Sequence, residues 1–280
     1  MDYIPTVEKS GSKILAGPFG RAALLSLKAR LTAHAHAHCH LIMKLSGPDQ
    51  EFVVDGRTLP LSNNRAVLVN MWQEHHYTPI NTDAPSTYLA LYLNPNWLRQ
   101  RDEIFEGCNQ PGYFTNSSAP VSPSIRRVAN ELRHVLNDSM PQSETASDLI
   151  VDIMKKFACT ERRANPGALP VSDYRIRRAL DRMHESYEAP YDFNALARYS
   201  GLSRSRFNVL FKEIVGVGPA IYGNAIRLEA AVSALASRSR AQDVATDLGF
   251  SSPANFNRFF QFHTGVPPAM FRKSLQKPAS

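Results

Sequence analysis

Two segments in the last third of the chain repeat one another. LARYSGLSRSRFNVLFKEIVGVGPAIY, from Leu196 to Tyr222, and VATDLGFSSPANFNRFFQFHTGVPPAMF, from Val244 to Phe271, align at an offset of 49 residues. The offset matches Ser203 with Ser252, Phe207 with Phe256, Phe211 with Phe260, Gly216 with Gly265, Pro219 with Pro268 and Tyr222 with Phe271. One residue is inserted in the second turn, between Gly249 and Ser252. Each copy reads as a short helix, a turn carrying Gly201 or Gly249, and a second helix with a serine able to cap its start. Phenylalanines four apart share one helical face and can anchor that helix to a core. The pattern is a helix-turn-helix, twice. A pair of helical hairpins used only for packing has the same periodicity, so a second property must decide.

Charge is that property. The 280 residues carry a formal +7; residues 170–280 hold fifteen basic against nine acidic residues, and residues 1–169 seventeen against sixteen. Positive excess gathered in the last two fifths of the chain, where the repeat lies, is the electrostatic footprint of a nucleic-acid-binding module. Histidine is skewed the other way, with seven of nine before residue 170 and six of these in two short clusters. An apolar fraction of 43% and a charged fraction of 20% describe a globular chain, and no apolar run approaches the roughly eighteen residues a membrane helix needs. Met1–Glu8 lacks the pattern of a secretion signal, and Cys39, Cys108 and Cys159 are odd in number and far apart. A cytoplasmic protein with no membrane association is therefore expected.

The length fits two domains. Short strands punctuated by turn residues are expected at Ala23–Leu31, His36–Leu45, Glu51–Val54, Ala66–Asn70 and Thr87–Leu93, with breaks at Ser46-Gly47-Pro48-Asp49, Asp55-Gly56-Arg57 and Asn63-Asn64. Such spacing predicts a β-sandwich or barrel over residues 1–115, closed by a short helix and loop from Pro95 to Gln110. The period then changes. Ile125, Val128, Ala129, Leu132, Val135 and Leu136 predict a helix over Ser124–Asn137 capped by Ser124, and Leu149, Ile153 and Phe157 predict another over Thr145–Cys159, together a helical region at 116–160. Thr160–Ser172 combines charge, Pro and Gly without periodicity and reads as a linker at 161–172. From 173 to 280 everything reads as helical, opening with Tyr174–Tyr187.

Residues 173–275 resemble the DNA-binding domain of the AraC/XylS family of bacterial transcription regulators. The resemblance rests on Leu196-Ala197, Gly201-Leu202-Ser203, Phe207, Phe211-Lys212, Gly216, Pro219, Arg227 and Ala230-Ala231 around the first unit. Around the second it rests on Val244-Ala245, Gly249-Phe250-Ser251-Ser252, Phe256, Arg258-Phe259-Phe260, Gly265, Pro267-Pro268 and Phe271-Arg272. It implies that each unit lays its second helix in the major groove, and that a linking helix near Pro219–Arg238 spaces the two readers about one turn of DNA apart. Carried over, Ser205, Arg206, Asn208 and Val209 face bases from the first reader. Ser252, Ala254, Asn255, Asn257 and Arg258 do so from the second. Arg suits guanine O6/N7 and Asn suits adenine N6/N7. Val209 stands where related proteins often have a base-reading Arg, and it suits a thymine methyl. Lys212, Arg204 and Arg240 suit phosphates, or are simply solvated charges.

His34, His36, His38 and His40 alternate with other residues, so an extended strand puts all four imidazoles on one side. A polar rim, a metal site and part of an organic-ligand pocket all remain open. His34 to His40 would span ~20 Å if straight, so a single tetrahedral ion needs a bend or help from another strand. The front half also resembles the cupin-like barrel that many AraC/XylS members carry, through His34-x-His36, His40 in the place of a Glu, and Gly47, with WQEHHY offering His75 or His76. That resemblance implies convergence of His34, His36, His40 and His76, with Trp72 and Tyr77 alongside, as an effector pocket or as ligands of a divalent transition metal. Cys39 should then point to the opposite face.

The expected protein is thus a one-component regulator of two domains. An all-β cupin-like barrel with accessory helices senses a small-molecule effector, and an all-α domain with two helix-turn-helix units and a linking helix binds promoter DNA. The family implies a homodimer formed through the helices at 116–160 and contact with RNA polymerase, usually as an activator. No catalytic residue and no obligatory cofactor are expected. Two other readings stay in play: a metal-binding cupin sensor or enzyme fused to a DNA-binding domain, and an effector-independent regulator that uses the barrel as a dimerisation scaffold.

Overall fold

The computed structural model describes all residues except 1–12, 28–29, 37, 81–83, 109–111, 139–140, 162–172, 186–189, 238–239, 265 and 276–280. The expected linker and Gly265 thus lie outside the described residues, apart from Glu161 at the end of a helix.

Among the described residues, alternating and doubly apolar runs form ten strands in two antiparallel sheets. The first has the order β1 (Lys13–Gly17), β2 (Gly20–Leu27), β9 (Ser86–Leu93), β4 (Cys39–Ser46), β7 (Arg65–Val69) and β10 (Ser118–Pro120). The second runs β3 (Leu31–His34), β8 (His75–Thr78), β5 (Gln50–Val54) and β6 (Arg57–Leu61). Asp55-Gly56, with φ of 48° and 74°, makes the tight β5–β6 hairpin, and left-handed backbone at both central residues is what a two-residue hairpin matching the strand twist requires. Pro60 is tolerated because β6 is an edge strand. β9 is buried along almost its whole length because both its faces are covered. Leu89, Leu91 and Leu93 face helices, while Tyr88, Ala90 and Tyr92 face the second sheet, with Phe52, Val54 and Tyr77 opposite.

The outer face of the first sheet is covered by α2 (Pro123–Asn137) and α3 (Ser143–Glu161), which come after the short α1 (Pro95–Arg99). Ile125, Val128, Ala129 and Leu132 of α2 pack there with Ile150, Ile153 and Phe157 of α3. The cap of α2 is Ser122 in place of the predicted Ser124. The Ser122 hydroxyl accepts from the Ile125 amide at 3.2 Å, and Pro123 takes the first helical position because its nitrogen has no proton to satisfy. Strands β1, β3, β6, β8 and β10 are not announced by the sequence, since runs of three to five residues carry too little periodicity to stand out.

The C-terminal half is helical: α4 (Tyr174–Glu185), α5 (Phe193–Tyr199), α6 (Arg204–Val215), α7 (Pro219–Ala236), α8 (Ala241–Asp247), α9 (Pro253–Thr264) and α10 (Pro268–Leu275). Helix α7 serves both units. Its Tyr222 and Ile226 join Phe207 and Phe211 in one core, and its Leu228, Ala231 and Leu235 join Phe256, Phe260 and Phe271 in another. A guanidinium nitrogen of Arg227 donates to the Leu248 carbonyl at 2.7 Å, and the group lies 4.2 Å from the Phe250 ring centre, so α7 is latched to the second turn. Gly223 is required by close approach: a Cβ there would stand 2.7 Å from the Tyr191 ring.

Candidate functional site

Gly201 and Gly249, at φ of 68° and 64°, sit in the left-handed region and turn each first helix into its reader. Ser203 then accepts from the Arg206 amide at 3.3 Å, and Ser252 from the Asn255 amide at 3.2 Å, satisfying the free donors at the starts of α6 and α9. Phe207, Phe211, Phe256 and Phe260 are sealed beneath. On the opposite side Ser205, Arg206, Asn208, Val209 and Lys212 are exposed on α6, and Ala254, Asn255, Asn257 and Arg258 on α9. Val209, at 47% exposure, is an apolar side chain held out among polar ones. The geometry qualifies three expectations. The Ser252 hydroxyl is engaged in capping, the Asn255 side-chain Nδ2 donates to the Ser251 hydroxyl at 2.7 Å, and the Arg204 guanidinium lies 4.9 Å from the Phe193 ring centre. Arg240 is exposed just ahead of α8.

The histidines gather elsewhere, at the mouth of the barrel. β3 ends at His34 and β4 starts at Cys39, so the chain leaves the extended path between them. This corner supplies the bend that the spacing demanded. It brings His34 and His36 to a ring-centre separation of 4.9 Å, and His36 and His40 to 5.4 Å. The fourth member is His75, not His76: its ring centre lies 4.4 Å from that of His34 and 5.2 Å from those of His36 and His40. The two-residue period of β8 places His75 and Tyr77 inward and leaves His76 half-buried on the other side. Tyr77 is interior, its hydroxyl 3.2 Å from that of Tyr88, and belongs to the barrel core away from the rings of this cluster. Trp72 stacks on Tyr222 of α7 at 4.2 Å and joins the core of the first helix-turn-helix instead of lining the barrel. Cys39 faces away as expected, its thiol donating to the Cys108 carbonyl at 3.0 Å.

Burial, reinforced by neighbouring imidazoles, drives His36, His40 and His75 well below the usual histidine pKa, so all three are neutral. The His75 tautomer is set by its partner. Nδ1 is 2.9 Å from the Gln73 carbonyl, which can only accept, so Nδ1 carries the proton and the Nε2 lone pair faces His40 Nδ1 at 3.3 Å. Both ring nitrogens of His36 and Nε2 of His40 are buried with no hydrogen-bond partner.

The cluster lies against the helical half. His263 of α9 packs edge-on to His34 at 6.2 Å, and burial, with His34 next, pulls its pKa to about 3. His263 carried no signal in the sequence, being far from the other histidines and outside the repeat's shared positions. His38 turns out of the cluster to pair with Glu229 of α7 at 3.3 Å. Burial alone would raise the Glu229 pKa; the neighbouring His38 imidazole and the Arg21 guanidinium outweigh it and leave the carboxyl below its ordinary value. Arg21 lies 3.8 Å from the ring centre of Tyr92 in the barrel and 5.8 Å from that of Phe271 in α10.

The profile of a family described as AraC-like ligand binding domain matches residues 27–151, and that of a helix-turn-helix domain family matches residues 196–274. An uncharacterised helix-turn-helix-type transcriptional regulator of Haemophilus influenzae is 23% identical over 186 residues, 64% of this chain and 61% of the relative. The raffinose operon transcriptional regulatory protein RafR of Pediococcus pentosaceus is 30% identical over 98 residues, 35% of each. The chain thus spans less than two thirds of the length of either. ToxT of Vibrio cholerae superposes with a TM-score of 0.53 at 11% identity over 92% of this chain and 98% of ToxT. Its unsaturated-fatty-acid-bound form gives 0.50 at 14%, over 98% and 99%. With β3 to β10 matched by the one profile and two capped reading helices matched by the other, the chain belongs to the AraC family of helix-turn-helix transcription regulators.

Proposed function

We propose that this regulator reads promoter DNA with the exposed faces of α6 and α9 and is controlled by a small effector bound in its β domain. Arg206 and Arg258 suit guanine, Asn208, Asn255 and Asn257 suit adenine, and Val209 suits a thymine methyl. Lys212, Arg204 and Arg240 suit phosphates. The observation that carries the reading is the duplicated arrangement: base-reading chemistry is exposed twice, each time over a sealed pair of phenylalanines. Ligand control is supported by the contact the barrel makes with both units, through Trp72 on Tyr222 and His34 on His263. The fatty acid carried by ToxT, which shares the fold, is in keeping with it.

The reading extends to a cytoplasmic homodimer that activates transcription through RNA polymerase and catalyses no reaction. Since α2 and α3 bury their main apolar faces on the barrel and on each other, dimer contacts fall to their remaining surfaces. The deciding experiment selects binding sites for the purified chain from random-sequence DNA. Enrichment of a site with two contacted segments about one helical turn apart is expected; enrichment of no sequence at all overturns the reading.

A further inference from the structure

We infer that the buried imidazoles at the domain seam form a site for one divalent transition-metal ion, held by His34, His36 and His75 with His40 beside them, and that α9 senses the ion through His263. One nitrogen from each of His34, His36 and His75 lies within 4.8 Å of the others. A tetrahedral ion with Zn–N bonds of about 2.0–2.1 Å needs donors about 3.3 Å apart, so small ring rotations close the set.

Three further observations point to an ion. The unpartnered nitrogens of His36 and His40 are buried, a costly arrangement at about 1–3 kcal/mol per group that a Lewis acid would relieve. Gln73 fixes His75 with its Nδ1 proton on a carbonyl and its Nε2 lone pair inward, the outer-sphere arrangement that orients metal-bound histidines. Space argues the same way. Each of the four rings has neighbours in the cluster with ring centres 4.4 to 5.4 Å away, which is ring-on-ring contact. An organic guest must part them, whereas an ion fits between. An all-nitrogen set favours Zn, Ni, Cu or Co over Mg or Ca.

The second half of the inference rests on the regulator reading above. His34 belongs to β3 and His263 to α9, and their rings face each other edge-on across the seam with centres 6.2 Å apart. Drawing His34 toward an ion changes the surface on which the last turn of the second reading helix sits. The metal would thus act between two domains, beside a ring from each.

Co²⁺ titrated into the full-length chain and followed by visible absorption is expected to give ligand-field bands saturating near one ion per chain. His36→Ala and His75→Ala should weaken uptake by about 10- to 100-fold or more, and His76→Ala should leave it unchanged. X-ray absorption of the Zn²⁺-loaded wild-type chain needs no variant and is expected to show a nitrogen shell with imidazole scattering. Failure of saturable uptake, uptake indifferent to both His36 and His75, or a sulfur-containing shell overturns the site. For the coupling, Zn²⁺ should change affinity for the selected DNA by about fivefold or more in the wild type and much less in His263→Ala, which still takes up Co²⁺. Uptake with no effect on wild-type DNA affinity overturns the coupling alone. Specific DNA binding by the metal-free chain tests the regulator reading separately.

Discussion

The two helix-turn-helix units share a plan and differ in their seating. The first meets the barrel through Trp72 against Tyr222, a contact between two aromatic rings. The second meets it through His263 on His34 and Phe271 near Arg21. The two units therefore share what each reader needs to fold and cap, while the surfaces turned toward the barrel differ. A change at the barrel mouth reaches the second reader through His263, and the first through Trp72 and through Ala35, which lies between His34 and His36 and packs in the core of the first unit.

The largest test of the shared plan is in the cores. Phe207→Ala and Phe256→Ala each remove a fully buried ring and should each cost about 3–5 kcal/mol in urea melts. A large difference between them would mean that one unit leans on the barrel for its stability. Next comes the division between specificity and affinity. Arg258→Ala should lose about 1–3 kcal/mol of discrimination between selected and random DNA, whereas Lys212→Ala weakens both alike and lowers the salt slope by about 1. Anisotropy titrations across ionic strength separate these, and equal losses of discrimination in both variants contradict the roles assigned. The caps should match: Ser203→Ala and Ser252→Ala are each expected to cost about 0.5–2 kcal/mol of thermal stability, which calorimetry would read. The smallest effect belongs to the seam. Glu229→Gln breaks a partly exposed pair with His38 and should change global stability by less than about 1 kcal/mol. A larger loss would make that pair a principal clasp between the halves.

Local signals in the sequence account for much of this architecture. Gly201, Gly249, the capping serines and the paired phenylalanines each act within a few residues, so their spacing was legible, and so was Asp55-Gly56 as a turn. The histidine cluster was legible only in part. His34, His36 and His40 came from one run, but the choice between His75 and His76 depends on the phase of a four-residue strand. That phase is set by the turn at Trp72, whose φ of 62° nothing nearby announces. His263 was invisible because its role arises from docking between elements far apart in the chain. Strands such as β3 and β8 escaped for the related reason that pairing, not propensity, defines them.

Helix α7, 18 residues and hence about 27 Å long, is held at both ends, by Tyr222 in the first core and by Leu235 in the second, with Arg227 latched to the second turn between. So fixed, it makes the chain a gauge of phase along the duplex. Inserting one base pair between the two contacted segments rotates one against the other by about 34–36°, and inserting five puts them on opposite faces. Targets of this protein should tolerate substitution of bases between the contacted segments far better than any change in their number.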